Sequence, residues 1–406
     1  MQNGESYSRT SSFAYDTKGN LTSSISDVGD VNQVTKTYSL FNDFGAPTKT
    51  EVTANGNTRT ASIQYTPSGR FILSKADVLG QTTTYDWDET KGLLNSSTNR
   101  LGTTSYTYNG LGQLISEINP VGITSTSSVD WAASGNTYGA TYLTTSQSTK
   151  SAPVYVWYDK LGRELVSETK ALNNNTVRIF TEYYPDGKAY RVSEPTFETT
   201  PQTNIYNDPY GRLNEVITID GSTNYSYQGL TTLVTTPNGT QETIINTSGQ
   251  LVSSKVNGKA VNYTYYPSGL TKTVTPEGGQ PVTMYYNLQG QRTKIIDPDA
   301  GTVRNEYNGF GELLLEKQKI TAGQDSVSTV NTYDAATGLL LNTTRGAETT
   351  VYTYDGLKRL SNVEIAGKHK VTLTYGDFDW VTDVEEQIGT RTFSKHYDYD
   401  PYGRLE

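Results

Sequence analysis

The sequence lacks residues on which much enzyme chemistry depends. It has no cysteine in 406 residues, and its two histidines are His369 and His396. The absence of cysteine excludes disulfide bonds, thiolate catalysis and cysteine-ligated zinc. His369 lies in residues 367–370, which are typical of a hairpin turn, and His396 is expected on a strand surface. Neither has partners at a spacing that indicates a catalytic triad.

Long apolar segments and an excess of positive charge are also missing. The formal net charge is −9, which argues against nucleic-acid binding because that function needs a basic surface. No apolar run approaches the length of a membrane span. Residues 1–12 lack the basic and hydrophobic regions of a signal peptide. The chain stops inside a repeated signature, so we expect it to be part of a longer protein.

Acidic residues form three groups, at residues 86–89, 297–299 and 377–383. None follows the alternating Asp/Asn pattern with a later Glu that calcium loops use. Asp297 and Asp299 flank Pro298 and are typical of a turn. No spacing selects a pair of carboxylates for hydrolysis, and the glycines form no phosphate-binding loop. We therefore predict no catalytic residue, metal or cofactor, and a hydrolase is the least favoured function.

Helical periodicity is scarce, whereas tyrosine and glycine are abundant. The chain has 31 tyrosines and 37 glycines, and extended runs of Thr, Tyr and Val favour strands. Residues 311–319 look helical but follow a turn signal, so we expect a strand there. The sequence therefore predicts an all-β protein.

One signature recurs along the whole chain at a spacing of about 20–27 residues, which is typical of repeat proteins. It reads aromatic, Asp or Asn, two variable residues, Gly, one variable residue and an apolar residue. The copies are at residues 15–21, 41–45, 65–71, 85–93, 108–114, 131–135 (weak), 158–163, 183–187, 206–213, 245–251, 265–269, 286–290, 307–313, 333–339, 354–360, 375 (degenerate) and 399–405.

The aromatic and glycine positions of the better copies are our candidate site residues, as structural anchors of the repeats. A tyrosine ring offers a large apolar face and a hydroxyl that can remain at a wet edge. These anchors are Tyr15, Gly19, Tyr65, Gly69, Tyr108, Gly112, Tyr158, Gly162, Tyr206, Gly211, Tyr286, Gly290, Tyr307, Gly311, Tyr333, Gly338, Tyr354, Tyr399 and Gly403.

Each signature is expected to be a turn between two antiparallel strands. Asp or Asn at its first turn position can bond to the backbone two residues on, and Gly tolerates the exit conformation. Asn257-Gly258 is the strongest hairpin signal. It predicts that Val256 faces Lys259, Ser254 faces Val261 and Val252 faces Tyr263, and that one face, including Val256, is packed.

A second class of Pro/Gly turns falls between the signatures, at residues 119–122, 237–239, 276–278 and 298–301, so each repeat has two strands and two turns. Residues 120–153 are the least regular and are expected to carry a longer loop. No domain boundary is evident, so we predict one repeat array over residues 1–406.

The signatures at residues 158–163, 206–213 and 399–405 resemble the YD repeats of the Rhs family, and the resemblance extends over almost the whole chain. That family includes bacterial polymorphic toxins, the C component of Tc toxins and the teneurins. The resemblance implies tandem antiparallel β-hairpins in a continuous curved sheet, which forms a spiral or a partial hollow shell around a C-terminal effector. The Asp/Pro-rich core motif of the toxins, associated with self-cleavage by an aspartate pair, is absent, so autoproteolysis is not implied.

Two functions remain open from the sequence. We favour a non-catalytic wall segment of an Rhs-type secreted or cell-surface protein, whose partner is the effector domain of the same parent chain. The alternative is an adhesin that binds surface glycans by stacking sugars on exposed tyrosines and on Trp87, Trp131, Trp157 and Trp380. A packing role of the aromatic rings is the simpler expectation.

Overall fold

The computed structural model describes residues 8–199, 203–218, 221–319, 327–400 and 403–406. The chain divides into two compact units. Unit 1 comprises Met1–Thr104, Tyr265–Val274 and Gln280–Glu406, and unit 2 comprises Ser105–Thr264 and Thr275–Gly279.

In the described residues, thirty-five strands account for nearly all of the regular structure. The strands of unit 1 before the first division are β1 (Ser11–Tyr15), β2 (Leu21–Ser26), β3 (Val34–Phe41), β4 (Pro47–Ala54), β5 (Asn57–Tyr65), β6 (Ile72–Ala76), β7 (Thr82–Asp88) and β8 (Leu93–Asn99). The strands that straddle a division are β9 (Gly102–Tyr108), β23 (Lys259–Tyr265) and β24 (Thr271–Pro276).

The strands of unit 2 are β10 (Leu114–Ile118), β11 (Thr124–Trp131), β12 (Tyr142–Ser148), β13 (Ser151–Tyr158), β14 (Glu164–Lys170), β15 (Thr176–Tyr183), β16 (Ala189–Ser193), β17 (Thr203–Asn207), β18 (Leu213–Thr218), β19 (Gly221–Gln228), β20 (Thr231–Thr236), β21 (Gly239–Ile245) and β22 (Leu251–Val256).

The remaining strands of unit 1 are β25 (Val282–Tyr286), β26 (Arg292–Asp297), β27 (Gly301–Tyr307), β28 (Leu313–Lys319), β29 (Val327–Tyr333), β30 (Leu340–Arg345), β31 (Glu348–Tyr354), β32 (Leu360–Ile365), β33 (His369–Tyr375), β34 (Val381–Ile388) and β35 (Arg391–His396). A short 3₁₀ turn spans Asp377–Asp379. Within the described ranges no helix is long and apolar enough to cross a bilayer.

Over the part of the chain that the structure describes, these strands form a 35-stranded sheet, in which consecutive strands pair antiparallel. This confirms the all-β hairpin-repeat prediction, including β28 at the helix-like residues. Because strand direction alternates, the turns alternate between two edges. The signature turns follow odd-numbered strands, and we call their edge the signature edge. The other turns follow even-numbered strands and form the opposite edge.

Alternation of side chains between the two faces defines the strands, as in β9 and β31, where half-buried and exposed residues alternate. Deep burial is rare because the sheet is a single layer over most of the described chain. Its buried apolar side chains there are Ala54, Ala140, Val166 and Phe180.

The hairpin at Asn257-Gly258 confirms most of its prediction. Both turn residues have positive φ, of 47° and 88°, and Val256 pairs with Lys259 as Ser254 does with Val261. The predicted packing of Val256 is wrong, since 52% of it is exposed. It is the last residue before the turn, where its neighbours in the strand and across the turn are also exposed.

Three signature copies lie elsewhere than predicted. In the copy at 85–93 the turn begins at Asp88, whose carbonyl accepts from Gly92 N–H at 2.8 Å. The prediction of a weak copy at 131–135 is wrong. The turn in this region is closed instead by the Gly139 N–H, which donates to the Asn136 carbonyl at 3.2 Å. It lies in the connection 132–141, which is the longer loop expected between residues 120 and 153. In the copy at 206–213 the aromatic is displaced, since Asn207 takes the position before Asp208.

Candidate functional site

The signature turn is built around one Asp or Asn side chain. In the copy at 158–163, Asp159 Oδ1 accepts the backbone N–H of Leu161 at 2.8 Å and of Arg163 at 2.9 Å. Gly162 N–H donates to the Asp159 carbonyl at 3.1 Å. The same double acceptance by Oδ1 occurs at Asp16, Asn42, Asn109, Asn136, Asp208, Asn246, Asn308 and Asp355.

The glycine that closes the turn has a left-handed backbone. Its φ lies between 70° and 91° at all the predicted glycine positions, where a side chain is disfavoured. These positions are Gly19, Gly69, Gly112, Gly162, Gly211, Gly290, Gly311, Gly338 and Gly403. Lys358 takes this place in the copy at 354–360 and has a φ of 65°.

A fifth turn residue, four after the Asp or Asn, completes the site and was not predicted. Arg163 Nε donates to Asp159 Oδ2 at 2.7 Å, whereas Asn308 Nδ2 donates to Glu312 Oε2 at 2.6 Å. Where the turn begins with Asp, the side chain of the fifth residue donates a hydrogen bond to it. Where the turn begins with Asn, the side chain of the fifth residue accepts one. The other pairs that follow this rule are Asp16–Asn20, Asn109–Gln113, Asp208–Arg212, Asn246–Gln250, Asn287–Gln291, Asp355–Arg359 and Asp400–Arg404.

These bonds hold the aspartates in their charged form. Burial alone would raise the pKa of Asp159, but the hydrogen bonds from the backbone and side chain of Arg163 outweigh it and lower that pKa below its usual value. Asp208 and Asp355 have lowered pKa values through the same balance of burial and arginine contacts. The sequence motif could have indicated this, because Arg follows Gly in several copies.

The fifth residue also contacts the next turn along the sheet. A Cβ built on Gly311 would lie 3.2 Å from Gln291 Nε2, and one on Gly338 would lie 2.8 Å from Glu312 Oε1. Asn20 crowds Gly45 in the same way. The backbone conformation therefore favours glycine at these positions, and a larger residue would also have to displace the side chain that covers the turn.

Tyrosine hydroxyls link many hairpins, from Tyr183 onward, to the one before. Tyr333 donates to the carbonyl of Leu313 at 3.1 Å, and Leu313 is the residue paired with Tyr307 of the preceding signature. The acceptor holds this position throughout, in the pairs Tyr183–Glu164, Tyr227–Leu213, Tyr307–Arg292, Tyr333–Leu313, Tyr354–Leu340, Tyr375–Leu360 and Tyr399–Val381. We call this series the hydroxyl ladder.

The ladder includes three tyrosines that the sequence did not single out as anchors, Tyr183, Tyr227 and Tyr375. Asn207 substitutes for a tyrosine by donating to the Ala189 carbonyl at 3.1 Å, so the predicted anchor Tyr206 is displaced by one residue. Burial raises the pKa of Tyr183, Tyr227, Tyr333, Tyr354 and Tyr375.

The other predicted anchor tyrosines make different contacts. Tyr158 stacks on Tyr142 with a centroid separation of 4.9 Å, and Tyr286 lies 3.5 Å from the sulfur of Met284. Tyr65 and Tyr108 are half-buried, while Tyr15 is 62% exposed. The structure places all of them at the signature edge. Their role in stability remains a prediction.

Within unit 1, opposite-edge turns of the first hairpins contact signature turns of the last ones. Arg59 lies over the Phe310 ring at 3.8 Å and pairs with Glu312 at 2.7 Å. Gly309 N–H donates to Asn55 Oδ1 at 2.5 Å. The further contacts of this row are Gln289 with Asp27, Gln81 with the Leu357 carbonyl, and Arg100 with Asp379. We call this row of contacts the seam.

Unit 2 contains a different cluster, which we call the clasp. The loop 132–141 folds back so that Tyr138 donates to Glu168 Oε1 at 2.7 Å. Trp157 Nε1 donates to Glu168 Oε2 at 2.9 Å, and Arg178 Nε donates to Glu168 Oε1 at 2.8 Å. Tyr138 meets Phe180 edge to face at 6.1 Å. Burial, and then the bond to Glu168, raise the pKa of Tyr138.

Three of the four tryptophans pack within the protein. Trp87 stacks on Phe71 at 4.9 Å, Trp157 meets Tyr138 at 5.4 Å, and Trp380 contacts Tyr399 at 5.4 Å. Trp131 is 82% exposed. The packing expectation for the rings therefore holds for Trp87, Trp157 and Trp380, whereas Trp131, Tyr15 and Tyr210 are exposed.

The remaining candidate residues take part in local contacts. His396 lies at the end of β35 with Nδ1 2.6 Å from Asp383 Oδ1, and this contact raises its pKa. His369 begins β33, just after its turn, and pairs with Glu386 at 2.8 Å. Asp297 accepts the N–H groups of Asp299 and Ala300 at 2.8 and 2.9 Å, as a turn residue. No group of three metal-ligating side chains occurs in the part of the chain that the structure describes.

Comparison with solved structures shows the fold. The whole chain matches 26% of a chain in the Tc holotoxin pore of Photorhabdus luminescens that carries a TccC3 mutation, with 13% identity and a TM-score of 0.63. Crystal structures of TcdB2–TccC3–TEV and of TcdB2–TccC3 without its hypervariable C-terminal region match 98% of the chain, with 13% identity. The chain covers 33% and 26% of those, and the TM-scores are 0.38 and 0.37.

The chain thus spans about a quarter of the length of the solved holotoxin chain. No family model and no curated protein sequence matches it. The chain nevertheless has the hairpin-repeat fold found in that Tc toxin, which agrees with the likeness of its signatures to the YD repeats of the Rhs family.

Proposed function

We propose that this chain is a wall segment of an Rhs-type shell, and that the shell encloses an effector domain of the same parent chain. The segment is structural and non-catalytic, and it is exported as part of that larger protein. The observation that supports the proposal is the match of the whole chain to about a quarter of a Tc holotoxin chain, together with the regular signature edge.

The geometry suits a wall. Many hairpins are tied to their predecessors by the hydroxyl ladder or by the fifth residue of the signature turn, and these contacts stiffen the sheet locally. Repeats that contact mainly their neighbours can extend over a large area without a thick core. The groove over β3–β6 has a volume of about 620 Å³ and is lined by polar and apolar residues that include the rings of Phe44 and Tyr65, and Asp43 and Lys49 are its charged members.

The test is protection of the enclosed domain. The parent protein is expressed with its proposed effector domain, and proteolysis of that domain is timed in the intact parent and as a free fragment. We expect cleavage to be slower by at least about tenfold in the parent, since protection depends on opening of the wall. The matched control carries Arg59→Ala, which removes a seam contact and should partly restore cleavage. Equal cleavage of attached and free domain overturns the proposal.

A glycan-binding surface is the second candidate, supported by the exposed Trp131. It predicts saturable binding to a glycan array that is lost in Trp131→Ala and retained in Trp87→Phe. Unchanged binding in Trp131→Ala, or none in the parent chain, removes this candidate.

A further inference from the structure

Both histidines of the chain face carboxylates of one strand, β34. His369, at the start of β33, has Nε2 2.8 Å from Glu386 Oε1. His396, at the end of β35, has Nδ1 2.6 Å from Asp383 Oδ1. The two differ in the second ring nitrogen, because Nε2 of His396 also lies 3.2 Å from a carboxylate oxygen, Oδ1 of Asp398. His396 is therefore held between two negative charges.

The two contacts of His396 require the charged form of its ring. A neutral imidazole carries one N–H and one acceptor nitrogen, whereas the imidazolium donates from both nitrogens. Ionised carboxylates offer acceptors only, so both contacts of His396 are hydrogen bonds only when the ring is protonated. The contact of His369 with Glu386 needs just one N–H, which a neutral ring can supply.

The charged groups around His396 favour that proton. β34 presents Asp383 opposite His396 and Glu385 two residues along on the same face, and the segment after β35 presents Asp398. Lys395 precedes His396 in the strand and therefore projects from the opposite face. The bond to Asp383, followed by the charges of Asp383 and Asp398, raises the pKa of His396 above its ordinary value of 6.5.

His396 lies where the chain leaves the strand pairing. Tyr397 N–H still donates to the Thr382 carbonyl of β34 at 2.8 Å. Asp398 follows directly, and its carbonyl accepts the N–H of Glu406 at 3.0 Å. The side chain of Asp398 is thus the point at which a charge on His396 can hold the segment after β35.

We propose that His396 is a proton-operated clamp. When its ring is charged, it fastens the segment after β35 to β34. When the ring is neutral, it keeps one carboxylate and releases the other. Asp398 is the one released, because its contact is longer and its side chain is 75% exposed, against 48% for Asp383. The clamp lies within unit 1 and does not depend on an enclosed effector.

The clamp closes on acidification. Because the folded-state pKa of His396 is raised, the stabilising effect is complete below the ordinary pKa of histidine and is lost as the pH rises through the folded-state pKa. The carboxylates set the lower limit, and the contact with His396 lowers the pKa of Asp383. The segment after β35 should therefore be held most firmly in mildly acidic solution and loosen once the ring loses its proton.

A chain with two histidines allows this proton to be measured directly. The chain is labelled with ¹³C at histidine Cε1, the two signals are assigned with His369→Asn, and both are followed by NMR from about pH 5 to about pH 9. We expect the His396 midpoint to lie above 6.5 and to fall by about 0.5 pH unit or more in Asp398→Asn. Asp299→Asn, which removes a carboxylate from an exposed turn between β26 and β27, is the matched control and should leave the midpoint unchanged.

Hydrogen exchange tests whether the proton fastens the segment. Peptides that cover residues 397–400 are compared at about pH 6 and about pH 8, after correction for the intrinsic exchange rate, and should lose protection by about threefold at the higher pH. That loss should be absent in His396→Asn and in Asp398→Asn. An unchanged His396 midpoint in Asp398→Asn overturns the proposal, as does a pH dependence of exchange that persists in His396→Asn. A raised midpoint with equal protection at both pH values also overturns it, because the proton would then be bound without holding the segment.

Discussion

The two units bury side chains in different ways. A single-layer sheet buries few side chains, and each unit adds one set of contacts, the seam or the clasp, in which side chains become largely buried. Unit 1 brings distant turns together, so that Arg59 and Glu312 are both largely buried although they are 253 residues apart in sequence. Unit 2 folds a loop of its own over the sheet, and Ala140, Val166 and Phe180 are buried at or near the clasp.

The comparison teaches where stability resides. The ladder and the signature turns occur in both units, whereas the seam and the clasp are specific to one unit each. We therefore expect substitutions in the seam or the clasp to lower the stability of one unit more than that of the other. Unfolding of the two units should then become separable.

The largest expected effect is loss of the clasp. Glu168→Ala leaves Arg178, Tyr138 and Trp157 without their common acceptor, and should cost unit 2 about 3 kcal/mol of unfolding free energy, as for removal of one member of a buried charged network. Hydrogen exchange resolved by peptide should rise in β13–β15 and stay unchanged in β27–β33. Glu194→Ala, an exposed position of the same unit, is the control. Equal exchange increases in both regions would contradict a local role.

A smaller effect is expected at the seam. Arg59→Ala removes the cation–π contact with Phe310 and the ion pair with Glu312, and should cost unit 1 about 2 kcal/mol. The exchange pattern should be the reverse of that of Glu168→Ala. Arg70→Ala, where the guanidinium is exposed, serves as the matched control and should cost much less. Equal melting temperatures of Arg59→Ala and Arg70→Ala would show that the seam does not stabilise unit 1.

Sequence reasoning found the local features and missed those that depend on distance. Asn257-Gly258 predicts its own turn and register, and the turn glycines reveal their positive φ, because both depend on a few adjacent residues. The acceptors of the hydroxyl ladder lie about one repeat upstream, and the seam partners lie more than 250 residues away. No local pattern specifies either. Tyr206 was misplaced because Asn207 can replace the donor of a tyrosine.

Alkaline pH should affect both units because the ladder runs through both. The pKa values of Tyr227 in unit 2 and Tyr375 in unit 1 are raised above 10.0 in the folded chain, first by burial. Stability from these groups is therefore complete below pH 10 and is lost as the pH rises through the folded-state pKa, since the phenolate is disfavoured by burial and cannot donate.

The check is thermal melting from pH 8 to pH 11 with the tyrosinate absorbance followed in parallel. Tyr227→Phe and Tyr375→Phe should each reduce the alkaline loss in their own unit at a small cost in stability at neutral pH. An alkaline loss that is the same in both variants as in the parent sequence would show that the ladder is not its source.

The smallest expected change is a gain. Lys358 holds a left-handed backbone at a position where glycine stands in most copies, and Lys358→Gly should stabilise unit 1 by about 1 kcal/mol, after the greater freedom of glycine in the unfolded chain is allowed for. Gly162→Ala, at the equivalent turn of unit 2, should destabilise by a similar amount. Chemical denaturation measures the free energy of unfolding of both variants. A change of the same sign in Lys358→Gly and Gly162→Ala would contradict this expectation.

The hydroxyl ladder has a consequence for how the chain would respond to mechanical force. Every rung ties a hairpin to its predecessor, so a pull on the last strand loads one antiparallel pair and one tyrosine at a time, and the load does not spread across the sheet. The hairpins should therefore peel away in series, with the extension rising in steps of one repeat. In unit 1 the seam interrupts that series, because the last hairpins are also fastened to the first.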